Sequence, residues 1–257
     1  MNSLKQRVYT SLFLTVLIPM LVTAGVATEP AVKTAEKSLT EQLHEKVEAA
    51  KAKTPSEKRK IMDGAIDQLR KSHLVDHALK KGDTVPRFQL PNVDGKSIDT
   101  NSLFEHGPLV IVFYRGGWCP YCNLQLHDLQ KHLEKIQALG AQLIAISPQT
   151  PNNSLTTAQK AELKFYVLSD VGNKIAKKFG LVYKLPKNLV QLYRDFGIDL
   201  QKSNGNNSDE LPVSATYIAD KQGHIVYSYL DADYKKRAET LDLIKVLESL
   251  KTGERPN

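Results

Sequence analysis

Residues 110–126 read V-I-V-F-Y-R-G-G-W-C-P-Y-C-N-L-Q-L, a stretch that turns from a buried strand into a helix with two cysteines at the corner. Residues 109–114 form a continuous apolar run, rich in β-branched and aromatic side chains. Gly107-Pro108 precede it and Gly116-Gly117 follow it, the pattern of a parallel strand covered on both faces. Pro120 fits the first turn of a helix, where its missing N–H leaves no donor unused. Leu124, Leu126, Leu129, Leu133, Ile136 and Leu139 then recur at helical spacing until Gly140 ends the run. Cys119 is therefore expected at the helix N-terminus, where free backbone amides and the positive end of the helix dipole favour a thiolate. Cys122 lies one turn further on and can close a small disulfide ring with it. The spacing describes a reactive dithiol.

Two inert readings fit less well. A structural zinc site needs four ligands, and the nearest candidates, His127 and His132, sit roughly 140° apart around a helix that advances about 100° per residue. A structural disulfide gains most by closing a long loop, whereas the chain's only two cysteines are separated by two residues.

Lys5 and Arg7 precede an uncharged apolar stretch at residues 11–22, and small residues follow at Ala24, Gly25 and Ala27. This is the layout of a secretory signal peptide at residues 1–24, with cleavage after Ala24 or Ala27; an uncleaved membrane anchor is the alternative. The expected location is therefore exported, periplasmic or secreted, with membrane contact only if this segment is retained. Loss of Lys5 and Arg7 lowers the formal charge from +7 to +5. The remaining excess is spread through lysine-rich stretches that also carry acids, so no nucleic-acid-binding stripe is expected.

Residues 25–81 read as a helical extension. Ser38-Leu-Thr-Glu41 and Thr54-Pro-Ser-Glu57 both fit capping boxes, and Leu39, Leu43 and Val47, then Ile61, Ala65 and Leu69, form two narrow apolar stripes. Packing on the main domain, pairing with a partner chain and a membrane stalk all accommodate such helices. Strands dominate from Gly82, beginning with a hairpin around Asp94-Gly95. The strand at 109–114, a helix at 120–139 and a second buried strand at 142–146 form a βαβ unit, right-handed by default. A short helix at 153–162, a strand at 164–168 and a helix at 175–179 follow. Residues 185–197 look like an inserted helix, able to cover the site or to serve as surface elaboration, and 201–210 read as a mobile polar turn. A hairpin at 216–229 and a helix at 235–250 close the domain, with a frayed tail at 251–257. The order is that of a thioredoxin fold, an α/β architecture with a central mixed sheet flanked by helices.

The string F-Y-R-G-G-W-C-P-Y-C-N-L-Q-L, followed by A-I-S-P-Q-T, V-L-S-D-V-G-N, F-G-L-V-Y and L-P-V-S-A-T-Y-I-A-D, resembles the peroxiredoxin-like branch of the alkyl hydroperoxide reductase/thiol-specific antioxidant (AhpC/TSA) family, over about residues 82–250. The resemblance implies a thiol peroxidase that takes hydrogen peroxide and organic hydroperoxides. In it Cys119 attacks, Cys122 resolves the product, and a thioredoxin-like or other thiol reductant resets the pair without a cofactor. Arg115, Trp118, Pro120 and Ser214 are the expected surround of the pair. Typical members place proline seven and threonine or serine three residues before the attacking cysteine; counted from Cys119, those places hold Val112 and Gly116. Ser214 stands where thioredoxin-like reductases carry a proline facing the dithiol. A thiol–disulfide oxidoreductase acting on proteins, and a redox sensor without turnover, remain alternatives. Amino-terminal sequencing of the mature protein is expected to begin at Gly25 or Thr28, and a mature chain starting at Met1 would contradict cleavage.

Overall fold

The computed structural model describes residues 37–253, built on a five-stranded mixed sheet. β3 (Leu109–Phe113), β4 (Gln142–Ser147) and β5 (Tyr166–Ser169) run parallel in the spatial order β5-β4-β3. β8 (Ala215–Ala219) lies antiparallel against β3, and β9 (Ile225–Leu230) pairs with β8 at the edge. All five residues of β3 are buried, as its unbroken apolar run requires of a strand covered on both faces. Its alternation divides the core. Val110 and Val112 face a layer formed by α5 (Pro120–Lys131), α6 (Leu133–Ala138) and α11 (Thr240–Thr252), whereas Leu109, Ile111 and Phe113 face a second layer containing Phe104 and Phe179. The first of these residues belongs to α4 (Thr100–Glu105), and the second closes α8 (Lys174–Lys178). The thioredoxin-type architecture expected from the sequence is thus the one observed.

The hairpin of β1 (Gln89–Pro91) and β2 (Ser97–Asp99) forms as its Asp-Gly turn suggests, and α7 (Pro151–Lys160) joins β4 to β5. Between α8 and β8 the chain makes a small ribbon from β6 (Val182–Lys184) and β7 (Glu210–Pro212), which brackets α9 (Lys187–Asp195) and α10 (Leu200–Asn204). Of residues 201–210, the first four are therefore helical and Glu210 opens β7, leaving the expected turn to residues 205–209. The Asp199 side chain caps α10 through the Lys202 N–H, Gly205 closes it in the left-handed conformation, and Asn204 is buried.

Other boundaries also differ from expectation. The helix expected over 120–139 is interrupted at His132, where one carbonyl, Asp128 O, accepts both the His132 N–H (3.3 Å) and the His132 ring Nδ1–H (2.8 Å). The closing helix begins at Thr240 rather than Lys235 and runs to Thr252, so residues 231–239 form a loop instead of a first turn, and 251–252 are helical rather than frayed. The capping box at Ser38 and Glu41 forms, but the one at Thr54 does not. Thr54 is consumed in closing the preceding helix, its N–H bonded to Ala50 O, and proline after it holds it extended.

The extension consists of α1 (Leu39–Lys53), α2 (Ser56–Lys71) and the short α3 (Leu74–His77). It packs on the domain: Leu39 and Leu43 join the core on the α5 side, Leu69 joins the opposite one, and Ile61, Met62 and Ala65 lie against α9. The Thr40 N–H, donating to Glu239, ties α1 to the loop before α11. The proposed signal segment lies outside the described residues. Truncating the fully buried Ile111 to alanine is expected to cost about 2–5 kcal/mol in denaturant unfolding, whereas Leu241→Ala on the exposed face of α11 should change stability by under about 0.5 kcal/mol.

Candidate active site

At the end of β3 the chain must leave the sheet and enter α5 within six residues. Gly116 adopts φ +144°, and a Cβ there would lie 2.4 Å from the Trp118 ring nitrogen. A Cβ on Gly117 would lie 2.1 Å from Thr157 Oγ1. Both glycines are thus required by close approach as well as by backbone shape. The Gly117 N–H donates to Gln149 Oε1 (2.7 Å), and Gln149, buried at the end of β4, also donates from Nε2 to Ser203 Oγ of α10 (3.2 Å). The corner is held from the neighbouring strand and from the insert at once.

Cys119 is the N-cap of α5 and Pro120 its first helical residue, as the sequence indicated. The expected exposed, ionised Cys119 is not what the fold produces. Both cysteines are free thiols and both are buried, and the Cys119 sulfur makes no capping bond with the amides of the first turn, so the helix terminus does little for it. The charge goes instead to Cys122. Burial opposes ionisation there, but a hydrogen bond from the Cys119 thiol and the Arg237 and Arg115 guanidiniums outweigh it and hold Cys122 well below the usual thiol range. Arg237 Nη2 lies 3.4 Å from Cys122 Sγ. Burial, followed by the hydrogen bond to Cys122 and the charge there, pushes Cys119 well above the usual range. The two thiols titrate as a pair, with ionisation favoured on Cys122.

Arg237 sits in the 231–239 loop, its Nη1 donating to the carbonyls of Tyr234 and Lys236. Arg115 is 2% exposed and lies among aromatic rings, 4.1 Å from the Tyr234 centroid and 5.0 Å from that of Trp118, with an Nη2 hydrogen bond to Tyr193 OH. No carboxylate pairs with either guanidinium among the described residues, so the anion they face is sulfur. Trp118 packs on Tyr193 at 5.6 Å and, with Arg115, Cys119, Pro120 and Tyr121, borders a cavity of about 520 Å³. Ser214 directly precedes β8, whose Ala215 pairs with Phe113 at the exit of β3; it is buried, its hydroxyl meets no partner among the described residues, and it does not border the cavity. Among the described residues no group of three or more His, Cys, Asp or Glu is placed to hold a metal.

Residues 81–228 match the AhpC/TSA family. The chain belongs to this family. Similar proteins include the chloroplastic peroxiredoxin Q of Populus jackii, 32% identical over 66% of this chain and 70% of that one, and a putative peroxiredoxin bcp of Buchnera aphidicola, 36% identical over 40% and 65%. The crystal structure of peroxidoxin BcpB from Mycobacterium tuberculosis superposes with a TM-score of 0.53 at 19% identity, covering 67% of this chain and 98% of that one, a likeness of fold. The protein is accordingly a peroxiredoxin-type thiol peroxidase of the thioredoxin fold.

Within this AhpC/TSA site the sequence pointed to Cys119, Cys122, Arg115, Trp118 and Pro120, and it missed Arg237, Tyr193, Tyr234 and Gln149. Arg237 falls inside residues 235–250, which the sequence alone presents as one terminal helix. Gln149 lay inside the A-I-S-P-Q-T string without a reason to single it out. Arg237→Gln removes a hydrogen bond to a charged group, worth about 1.5–3 kcal/mol, so the rate of peroxide consumption near neutral pH should fall about ten- to hundredfold. The deficit should shrink as pH rises past about 8.5, where an unassisted thiol ionises; a deficit independent of pH would contradict this role for Arg237.

Proposed function

We propose that the chain reduces hydroperoxides with Cys122 as the attacking sulfur and Cys119 as the resolving one, the reverse of the order expected from helix position. The Arg237–Cys122 contact at 3.4 Å carries this reading. The spacing supports it as well: counted back from Cys122, the hydroxyl place three residues before is taken by Cys119, whose thiol donates the equivalent hydrogen bond, and the proline place seven residues before by Arg115. Cys122 thiolate attacks the outer oxygen of the hydroperoxide, the O–O bond breaks, and its electron pair leaves on an alkoxide or hydroxide that takes up a proton. Arg237 and Arg115 offset that developing charge. Cys119 then attacks the Cys122 sulfenic acid, releasing water and forming a Cys119–Cys122 disulfide. A thioredoxin-like or other thiol supplies two electrons to restore the dithiol.

A second assignment, with Cys119 attacking and passing its proton to Cys122, is favoured by the position of Cys119 in the cavity wall. The two are separated by peroxide treatment of single variants followed by mass spectrometry with a sulfenic-acid probe. Cys119→Ser should trap the probe on Cys122 and over-oxidise, while Cys122→Ser should react at the rate of a free thiol. Rapid trapping on Cys119 in Cys122→Ser would reverse the roles, and accumulation of mixed disulfides with protein substrates in place of sulfenic acid would favour a thiol–disulfide oxidoreductase. The proposed site of action is outside the cytoplasm, on the strength of residues 1–27.

A further inference from the structure

Residues 231–239 carry Arg237 to Cys122 without a helix or strand of their own. The guanidinium is tied to that loop rather than to the sheet. Its Nη1 donates to the carbonyls of Tyr234 and Lys236, Nη2 faces the sulfur, and Nε has no partner among the described residues. Where the loop goes, Arg237 goes. Internal bonds give the loop its local shape: the N–H groups of Asp233 and Lys235 donate to the carboxylates of Asp231 and Asp233, and the Lys236 N–H donates to the Asp233 carbonyl. Turns of this kind set a shape without setting where it sits.

The amino-terminal helices supply the placement. At the end of the loop, the Thr40 N–H of α1 donates to Glu239. Thr40 lies in the first turn of α1, so its N–H lacks an intrahelical acceptor and the Glu239 carboxylate meets it at the positive end of the helix. In the middle, Lys235 Nζ lies 3.3 Å from Asp63 Oδ1, and the Tyr234 hydroxyl donates to Met62 Sδ (3.8 Å), both partners being on α2. Further along α2, Arg70 Nη2 reaches Asp233 Oδ2 at 3.8 Å. Singly, such partly exposed contacts hold little. Together they fix the middle and one end of a short segment whose buried member is Arg237. The helices precede, and the loop follows, the 81–228 stretch matched to the family.

Resting on the peroxidase reading above, we infer that α1 and α2 position Arg237 on Cys122 through the 231–239 loop, with Glu239, Asp63 and Arg70 as positioning residues. None of the three touches the sulfur. Cys122 is also influenced by Cys119 at the start of α5 and by Tyr114 and Arg115 at the end of β3; of these charged and titratable neighbours, Arg237 is the one the loop carries.

The test titrates the thiolate of the reduced whole chain by ultraviolet absorbance and follows hydrogen peroxide consumption over the same pH range. In Glu239→Ala/Asp63→Ala the midpoint of thiolate formation should rise by about one pH unit, toward the free-thiol value of about 8.5. Peroxide consumption should then fall about tenfold at pH values below both midpoints, and the deficit should close as pH rises past the variant's midpoint. Glu239→Gln/Asp63→Ala keeps an oxygen to accept from Thr40 and should show less than half the shift. Asp63→Ala alone, at a side chain 62% exposed, should fold normally and give a smaller rise in the same direction. Added to Arg237→Gln, the two alanine substitutions should raise the midpoint no further, because nothing is left for the helices to position. An unchanged midpoint in Asp63→Ala and in the double variant, or a further rise on top of Arg237→Gln, would overturn the inference while leaving peroxide turnover intact. A shifted midpoint in a chain that consumes no hydroperoxide would overturn the peroxidase reading and leave the positioning role standing.

Discussion

Two buried guanidiniums facing a pair of buried thiols set the constraint on which this site depends. Arg115 and Arg237 are 2% and 5% exposed, and neither meets a carboxylate among the described residues. A buried cation without an anion is expensive, so the sulfur pair is favoured in its singly ionised form. The positive end of α5 is secondary, because the sulfur at the N-cap does not engage the amides there. Aromatic faces around Arg115 complete its solvation without neutralising it, leaving its charge available to an oxyanion formed at the sulfur.

The fold delivers these groups from elements far apart in sequence. β3 brings Arg115 and, through the double-glycine corner, Cys119; the first turn of α5 brings Cys122; the loop before α11 brings Arg237 and Tyr234 from more than a hundred residues away. The insert holds the corner in place through Gln149 and Ser203 and presents Tyr193 to Arg115. The amino-terminal helices close the space above. An insertion and an extension, both outside a minimal thioredoxin fold, thus shape what reaches the sulfur.

Periodicity made the fold legible because β3, β4 and α5 are long apolar patterns whose burial leaves few alternatives. The two cysteines and the glycines before them were legible for the same local reason: a strand-to-helix turn in few residues needs that chemistry. Their ionisation was not legible. It depends on Arg237, whose approach to Cys122 is a tertiary contact spanning 115 residues, and whose loop resembles a helical turn in sequence because its Lys-Lys-Arg run fits a solvated face. The order of residues 201–210 escaped likewise, since the Asp199 cap and the pairing of β7 with β6 lie at or beyond the edges of the polar stretch.

The central claim, a single thiolate held on Cys122 by Arg237, is tested most directly by the ultraviolet absorbance of the thiolate as the reduced protein is titrated. The expected result is one thiolate per chain that persists below the ordinary thiol range, survives Cys119→Ser, in which a hydroxyl still donates to the sulfur, and disappears in Cys122→Ser. A thiolate that survives Cys122→Ser and is lost in Cys119→Ser, or one that forms only near the value of a free thiol of about 8.5, would contradict it.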